Sequence, residues 1–521
     1  MINNLDRRHF LGLAGAGAGV GAAVGLPALI ATAGPFREDV FTLGVASGDP
    51  LPDSVVLWTR LALDPVAVDG HGGMPDRKVP VRWELAADES FGRIVRRGVE
   101  VATPEWGHSV HVEVFGLQPD REYWYRFQVG DQRSPVGRTR TAPLPGAELN
   151  SLTFAYTSCQ SYVAGHFTAL EYLAADDLDL VVHLGDYIYE GRGADTIENR
   201  SHLPAHETQS LADYRIRYGQ YKSDPALQAG HAAAPWILVP DDHEVENNYT
   251  GGLSQPDSEP DQDPEVFAKR RSAAYRANYE NLPLRRASMP TAAGVQFYRR
   301  LRFGRLAEFS MLDSRQYRDV HLAQCVNDCE ERWDPDRQYL GSEQEAWLFD
   351  GLVASTATWK VLGNQQISFD ADSAAGPEES YSLGNWMGFA AARQRLYELI
   401  GGVDDVVLIT GDAHKNAAAN LHLDFNDLRS PIVATEFLGT SVTSGGNGRD
   451  LSDKGRIWRA ESPHIKFTNS QRGYQRVRVT PQTWQVEYRT LPYVDRPGAP
   501  ISTRAVATVE AGRPGIADLS Q

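Results

Sequence analysis

The hydrophobic and polar positions of this chain change rhythm near residue 150. Between residues 38 and 143 the apolar positions fall in short runs: VVLWTRL, VRWELAA, HSVHVEVFGL, REYWYRFQVG and SPVGRTRTA. The runs alternate or are β-branched, and Gly, Pro and Asp punctuate them. A period of two puts every second side chain on one face, so these runs predict short antiparallel strands packed as a β-sandwich. Pro143 and Pro145 mark a linker over residues 139–150. From Ser151 onward strand-like runs alternate with helical periods. LTFAYTSC is a strand. HFTALEYLAAD is helical, with apolar Phe167, Leu170, Tyr172 and Leu173, and LDLVVHLGD is the next strand. Strand, helix and strand in that order predict a βαβ unit and an α/β class.

The same reading predicts helices over residues 213–232, 266–281, 342–354 and 390–400, with Ser342 as an N-cap and Glu345 three residues on. Residues 294–313 predict a hairpin. APWILVPDDHE, WKVLGNQQ, DDVVLITGDAHKN, SPIVATEFLGTS, IKFTNS, GYQRVRVT and TWQVEYRTL predict further strands. SQPDSEPDQDPE, residues 254–265, reads as a solvated, mobile acidic loop, with calcium binding as the alternative. Beyond Pro492 the pattern loosens, which leaves room for a C-terminal extension near the functional site.

Length and composition add bounds. A chain of 521 residues exceeds one ordinary core and predicts a small and a large domain. The net charge of −17 excludes the basic face of a nucleic-acid binder, so no nucleic acid partner is expected. Arg7 and Arg8 precede Phe10 and Leu11, a Gly/Ala-rich stretch follows to Ile30, and Ala31-Thr32-Ala33 fits a small-x-small cleavage site. This predicts a twin-arginine export signal over residues 1–33, with the twin-arginine machinery as a partner. The expected location is secreted, or periplasmic and cell-envelope. A transmembrane helix is the competing reading, opposed by the glycines and Pro27. Cys325 and Cys329 could form a local disulfide in an exported protein, stay free or act as distal ligands. His71, His108 and His111 lack an accompanying acid or Cys, and His108 and His111 read as ordinary strand surface.

Four strand ends carry the chemistry. The first gives Cys159. The second, in HLGDYIYE, gives Asp186 and Tyr189. The third gives Asp241, Asp242, His243, Glu244, Asn247 and Asn248, and the fourth Asp412, His414 and Asn416. In open α/β sheets ligands gather beyond the carboxyl ends of strands. Each of these residues alone has a bland reading as a turn, a cap or a buried thiol. Their joint occurrence at four strand ends predicts a metal site. Thiolate and phenolate suit a transition metal such as iron, whereas carboxylate and amide oxygens suit calcium. Asp186 is the natural bridge between two ions. Clustered cations polarise a phosphoryl oxygen and lower the pKa of water, so the reaction class is metal-assisted phosphoester hydrolysis. Arg315, Arg318 and Lys415 are candidate phosphate contacts, and each also has a surface reading.

FTLGVASGDPLPDSVVLWTRL, TSCQ, HLGDYIYE, DDHEVENNY and TGDAHKN, in this order over nearly the whole mature chain, resemble the PhoD-type alkaline phosphatases of the calcineurin-like metallophosphoesterase superfamily. The resemblance implies a four-layer αββα metallophosphoesterase domain, residues 151–500, behind a fibronectin-type-III-like β-sandwich, residues 38–143, with residues 501–521 as a C-terminal extension. It implies ferric iron and calcium. Cys159, Asp186 and Tyr189 would hold iron with help from the GDAH segment, and Asp186 would bridge to calcium. Asp242, Asn247, Asp412 and His414 would complete the cluster. Asp241-Asp242-His243 stands where the superfamily usually has Gly-Asn-His, so Asp242 replaces an amide. His243 could be a ligand, a phosphate contact or a general acid; it and Asp186 are the catalytic candidates. GNWMGF, residues 384–389, stands where the family often has DAWDGY, and the missing acid argues against a metal role there.

The framework fits phosphomonoesterases and phosphodiesterases acting on small phosphoesters. A second reading is a phospholipase-D-like enzyme acting on phospholipid, for which Trp386-Met387-Gly388-Phe389 would be the membrane-facing patch, with core packing as its other reading. A third is a noncatalytic fibronectin-like binding module with a relict metal site.

Overall fold

The computed structural model describes residues 36–521 apart from 194–196, 198, 259, 292–293 and 323–328. The expected export signal over residues 1–33 lies outside the described residues, as does Cys325, one half of the close cysteine pair. No helix among the described residues is long and apolar enough to cross a membrane.

Two large sheets lie face to face. The first has ten strands, and Leu152–Thr157, Leu180–His183 and Trp236–Leu238 run parallel at its centre. The second has seven, with Ala307–Met311, Trp359–Gly363, Val406–Thr410 and Ile432–Leu438 parallel. The period of two decides the layers. Phe154, Tyr156, Leu180 and Val182 point into the core shared with Phe309, Trp359, Val407 and Ile409 of the other sheet. Ala155, Val181 and Trp236, one position out of phase, pack under Leu170, Leu173, Tyr214 and Leu227 of the helices. On the far side Leu362 and Leu408 pack under Leu348, Leu352 and Leu396. The order is helices, sheet, sheet, helices: the four-layer αββα arrangement.

The N-terminal segment is joined to this framework through the sheet itself. Val45–Leu51, Ser54–Arg60 and Ser109–Phe115 continue the ten-stranded sheet, with Gly48 paired in parallel to Trp236. A side chain at Gly48 would put its Cβ 2.5 Å from the Pro283 carbonyl oxygen, so only glycine allows the two segments to meet there. The other half of the sandwich is a separate five-stranded sheet containing Val79–Ala86, Ile94–Ala102 and Glu122–Val129. Val81, Leu85, Tyr125 and Phe127 of that sheet close on Val55, Leu57, Val112 and Val114.

Several expectations are corrected. Residues 213–232 are not one helix. Leu211–Lys222 ends at Ser223, and Pro225–Ala233 starts under an Asp224 cap, because Pro225 lacks the N–H that an uninterrupted helix needs. Ser342 is the first residue of its helix; the cap position belongs to Gly341, at φ 70°. Residues 501–521 are not a loose extension. Ser502–Glu510 pairs with Thr483–Leu491, and Arg513–Ser520 pairs with Ser502–Glu510, so they form one edge of the large sheet. His108 and His111 are buried instead of lying on the strand surface. His108 Nε2 meets the Arg77 carbonyl at 3.1 Å, and His111 Nε2 meets that of Leu282 at 2.9 Å. The acidic loop is solvated over most of its described residues, as expected, but is anchored at Asp261, which is fully buried and accepts a 2.7 Å bond from Arg270 Nη1; Asp257 and Asp261 also form, with Glu246, a group that could hold a cation. Asn416–His422 and Asp453–Glu461, strand and helix respectively, carried no clear period in the sequence.

Candidate metal centre

Each candidate residue follows a strand that ends inside the molecule. Leu152–Thr157 delivers Cys159, Leu180–His183 delivers Asp186 and Tyr189, Trp236–Leu238 delivers the 241–248 segment, and Val406–Thr410 delivers Asp412 and His414. The turns that follow are sharp. Eleven non-glycine residues among those described have positive φ, and Cys159, Asp186, Asn248, Asp412 and His414 account for five of them. This conformation disfavours L-residues by about 1 kcal/mol or more each and persists where the surroundings enforce it, which is typical of functional turns. Gly185, at φ 100°, admits the neighbouring loop: a Cβ there would lie 2.4 Å from that of Asp241.

Three groups of ligand atoms result, each with all its atoms within 4.8 Å of one another: Cys159, Asp186 and His414; Asp186, Asp242 and His243; Asp241, Asp242 and Asp412. Asp186 belongs to the first two and Asp242 to the last two, so the groups form one chain of sites. Tyr189 joins the first group. Its hydroxyl lies 3.0 Å from Asp186 Oδ2, 3.3 Å from His414 Nε2 and 2.7 Å from Ser444 Oγ. Asn247 stands beside the groups; its backbone N–H donates to Glu190 Oε1 at 2.8 Å and its side-chain amide to Gln255 at 2.7 Å.

The electrostatics of these groups fit a cation. Burial, with Asp186 adding to it, pushes the Cys159 thiol up, and burial with Asp186 and Cys159 does the same to Tyr189. Asp186 is itself raised by burial and by Asp242 and Asp241, with His243 opposing. Its Oδ1 is buried with no hydrogen-bond partner. Burial holds His414 down at about 3, so its imidazole is neutral and ready to donate a lone pair. Soft and hard anionic donors that suppress one another's ionisation are what a bound cation would relieve.

Arg315 is the counter-charge to the acids. Its Nε and Nη2 grip Asp241 at 2.5 and 3.2 Å, and Nη2 also reaches Asp242 at 3.2 Å and Asp412 at 3.4 Å. Burial pushes Asp242 up, but Arg315 and His243 outweigh it and keep the carboxylate ionised. Lys415 packs over the Trp458 ring at 5.3 Å, and burial together with Lys454 brings it down to about 8. Arg318 is buried and anchored to Gln366 and Gly384.

Glu190 and Arg472, which the sequence does not single out, complete the site together with the strand-end residue Glu244. Glu190 closes HLGDYIYE, and its Oε2 lies 2.7 Å from His243 Nδ1. Burial opposes a charge on His243, yet Glu190, Asp186 and Asp242 together raise it well above the ordinary imidazole value. Glu244 accepts from the N–H groups of Asp186, Tyr187 and Asp241 at 3.2, 2.6 and 2.8 Å, and so ties two strand-end turns together. Arg472 donates to the His414 carbonyl at 2.6 Å. Glu190 and Glu244 were visible beside quoted motifs; Arg472 lies 58 positions from His414 with nothing local to mark it. In the GNWMGF segment Trp386 and Met387 are buried, with the Trp386 ring 4.0 Å from that of Tyr339, so this patch belongs to the core. Two surface grooves, about 490 and 580 Å³, lie around Trp83 and Gly98 on the N-terminal sheet and contain none of these residues.

Comparison with known proteins finds phosphatases. Residues 154–488 match a family described as PhoD-like phosphatase, and residues 28–143 match its N-terminal domain. The chain is 46% identical to alkaline phosphatase D of Bacillus subtilis (strain 168), over 99% of this chain and 90% of that protein. A solved structure described as that of PhoD superposes with a TM-score of 0.87 at 47% identity, covering 93% of this chain and 94% of the other. A purple acid phosphatase from yellow lupin (Lupinus luteus) seeds shares the fold, with a TM-score of 0.52 at 12% identity over 89% of this chain and 74% of that one.

Proposed function

Because the chain belongs to the PhoD-like phosphatase family and is a hydrolase of phosphoric ester bonds, we propose that it acts on small phosphoesters through a mixed iron–calcium centre bridged by Asp186. The observation that carries this reading is the position of Asp186, shared between the thiol and imidazole of Cys159 and His414 and the carboxylate of Asp242, with a buried oxygen that has no hydrogen-bond partner. Cys159, Tyr189 and His414 with Asp186 would hold ferric iron. Asp186, Asp242, Asn247 and Asp412 would hold calcium. Such cations, when bound, withdraw electrons from a phosphoryl oxygen and make water a stronger acid.

The protein's own residues supply the rest. Arg315 cancels part of the charge of Asp241, Asp242 and Asp412 and fixes their spacing. His243 keeps its proton because Glu190 holds Nδ1. Its side chain is 19% exposed, so a substrate can reach the ring. It would give that proton to the leaving-group oxygen as the ester bond breaks. Glu244 and Arg472 hold the turns that carry Asp186 and His414.

The phospholipid reading loses its one surface feature, since the Trp386 patch is buried. Membership of an enzyme family sets aside the noncatalytic module. The Arg7-Arg8 signal supports export by the twin-arginine route to the cell envelope or the medium. Nitrophenol release from p-nitrophenyl phosphate and from bis-p-nitrophenyl phosphate tests the proposal, with the protein loaded with iron and calcium or stripped by chelator. Release that depends on both metals is expected. Equal rates in stripped and loaded protein would contradict the metal centre.

A further inference from the structure

Arg318 is fixed as rigidly as Arg315 but is not used up. Its Nη1 donates to Gln366 Oε1 and to the Gly384 carbonyl, both at 2.8 Å. Gln366 is itself oriented, because the Tyr339 hydroxyl donates to the same Oε1 at 2.9 Å. With that oxygen occupied twice, the amide N–H groups of Gln366 are left for Asp412, whose carboxyl Gln366 lowers against the effect of burial. The guanidinium is therefore one side chain removed from the acidic cluster, and it shares the field of Asp241 and Asp242. Its opposite edge, Nε and Nη2, is buried and has no hydrogen-bond partner. A buried, charged donor left unpaired is among the costlier defects a fold can carry. Such an exception calls for an absent partner, and the edge in question is the fork that recognises carboxylate and phosphate.

We propose that Arg318 is a substrate-binding residue whose Nε–Nη2 edge holds a non-bridging phosphoryl oxygen, and that it favours dianionic phosphomonoesters over monoanionic diesters. The inference rests on the phosphoester reading of the site. Arg315 offers no free fork: its Nε and Nη2 edge is engaged by Asp241, Asp242 and Asp412, which leaves a single buried nitrogen, Nη1, without a partner. Lys415 lacks the planar fork. A monoester presents three non-bridging oxygens and two charges, a diester two oxygens and one charge. Were cations held by Asp186 and Asp242 to take two of these oxygens, a monoester would still have one for a fixed guanidinium. Hydrogen bonds to a charged group are stronger than neutral ones, so the preference should be large enough to measure.

The test compares Arg318→Gln and Arg318→Lys with the parent, all metal-replete and with metal content measured. Arg318→Gln is expected to weaken inhibition by inorganic phosphate about tenfold or more. It should also lower the ratio of kcat/KM on p-nitrophenyl phosphate to that on bis-p-nitrophenyl phosphate by about tenfold, at unchanged metal content. Arg318→Lys, which keeps the charge and loses the fork, should recover only part of both. Parent-like phosphate inhibition and an unchanged ratio overturn the proposal. So does metal loss in step with activity, which would reduce Arg318 to a counter-ion of the acids. Should neither variant fold, a crystal structure of the parent holoenzyme with inorganic phosphate decides: an oxygen within hydrogen-bond reach of Nε or Nη2 supports the proposal, and phosphate bound away from Arg318 refutes it. Failure of the parent to hydrolyse either ester would count against the reaction class and not against Arg318 alone.

Discussion

The Tyr189 hydroxyl lies 3.0 Å from Asp186 Oδ2, three residues along the same turn. It donates to the carboxylate. Burial and the anions Asp186 and Cys159 hold its proton on. A cation held by the Cys159–Asp186–His414 group would compete with that proton, and the contact is where a phenolate would form.

Tyr189→Phe is therefore expected to abolish the visible absorption that ferric iron gives with a phenolate, and to lower kcat by roughly tenfold or more if the ligand also tunes the centre. Spectra of the iron-loaded parent and variant check this. A colourless parent, or an unchanged band in the variant, removes Tyr189 from the ligands.

Glu190→Gln removes the main carboxylate partner of His243. The folded-state imidazole is raised well above its ordinary value, so it stays protonated through neutrality. Without Glu190 it releases its proton at lower pH. The basic limb of the kcat/KM profile should move down by about one pH unit or more, and activity on the alkaline side should fall roughly 10- to 100-fold. An unshifted limb would show that His243 is not the acid.

Glu436 lies fully buried on Ile432–Leu438, with Ser368 and Thr410 donating to it, and burial raises it to about 7. Below the ordinary value near 4.5 both folded and unfolded chains hold this proton. Between there and about 7 the unfolded chain releases it first, so stability falls as pH rises, by an amount on the order of 3 kcal/mol. Glu436→Gln should be more stable than the parent at pH 8 and show a flatter profile in denaturant titrations. Greater stability of the parent at pH 8 would show that Glu436 is ionised at little cost.

Removal of residues 502–521 should unfold the protein or make it aggregate. Ala505, Ala507 and Val509 face the inter-sheet core with Trp484 and Tyr488, and their loss is on the order of 5 kcal/mol before the exposed sheet edge is counted. A soluble truncation with the parent's melting temperature would mean that these strands are dispensable.

How much of this was legible in the sequence depends on how local the signal was. The strand ends at Cys159, Asp186, Asp242 and Asp412 were readable because an apolar run stopping at a turn is a local pattern, and a parallel sheet gathers such ends by construction. The break at Pro225 was legible but outweighed by the apolar period running across it. Ser502–Glu510 was missed because its alternation (half-buried Arg504 and Thr508, buried Ala505 and Ala507) puts small residues on the inner face that hydrophobicity barely registers. The continuity of the N-terminal strands with the catalytic sheet could not be read. It rests on Gly48 meeting Trp236 across 188 positions, and nothing near Gly48 announces that partner. Glu190 and Glu244 were in plain view, but a carboxylate reveals itself as a support only when the N–H groups and the imidazole it holds are seen around it.

The central claim is that Asp186 is shared by two unlike metal ions. Iron and calcium per chain, measured on parent and Asp186→Asn after exhaustive dialysis, test it most directly. Iron and calcium together are expected in the active parent, with the loss of both in a variant that still folds. Retention of either metal at the parent's level in Asp186→Asn would contradict the bridge.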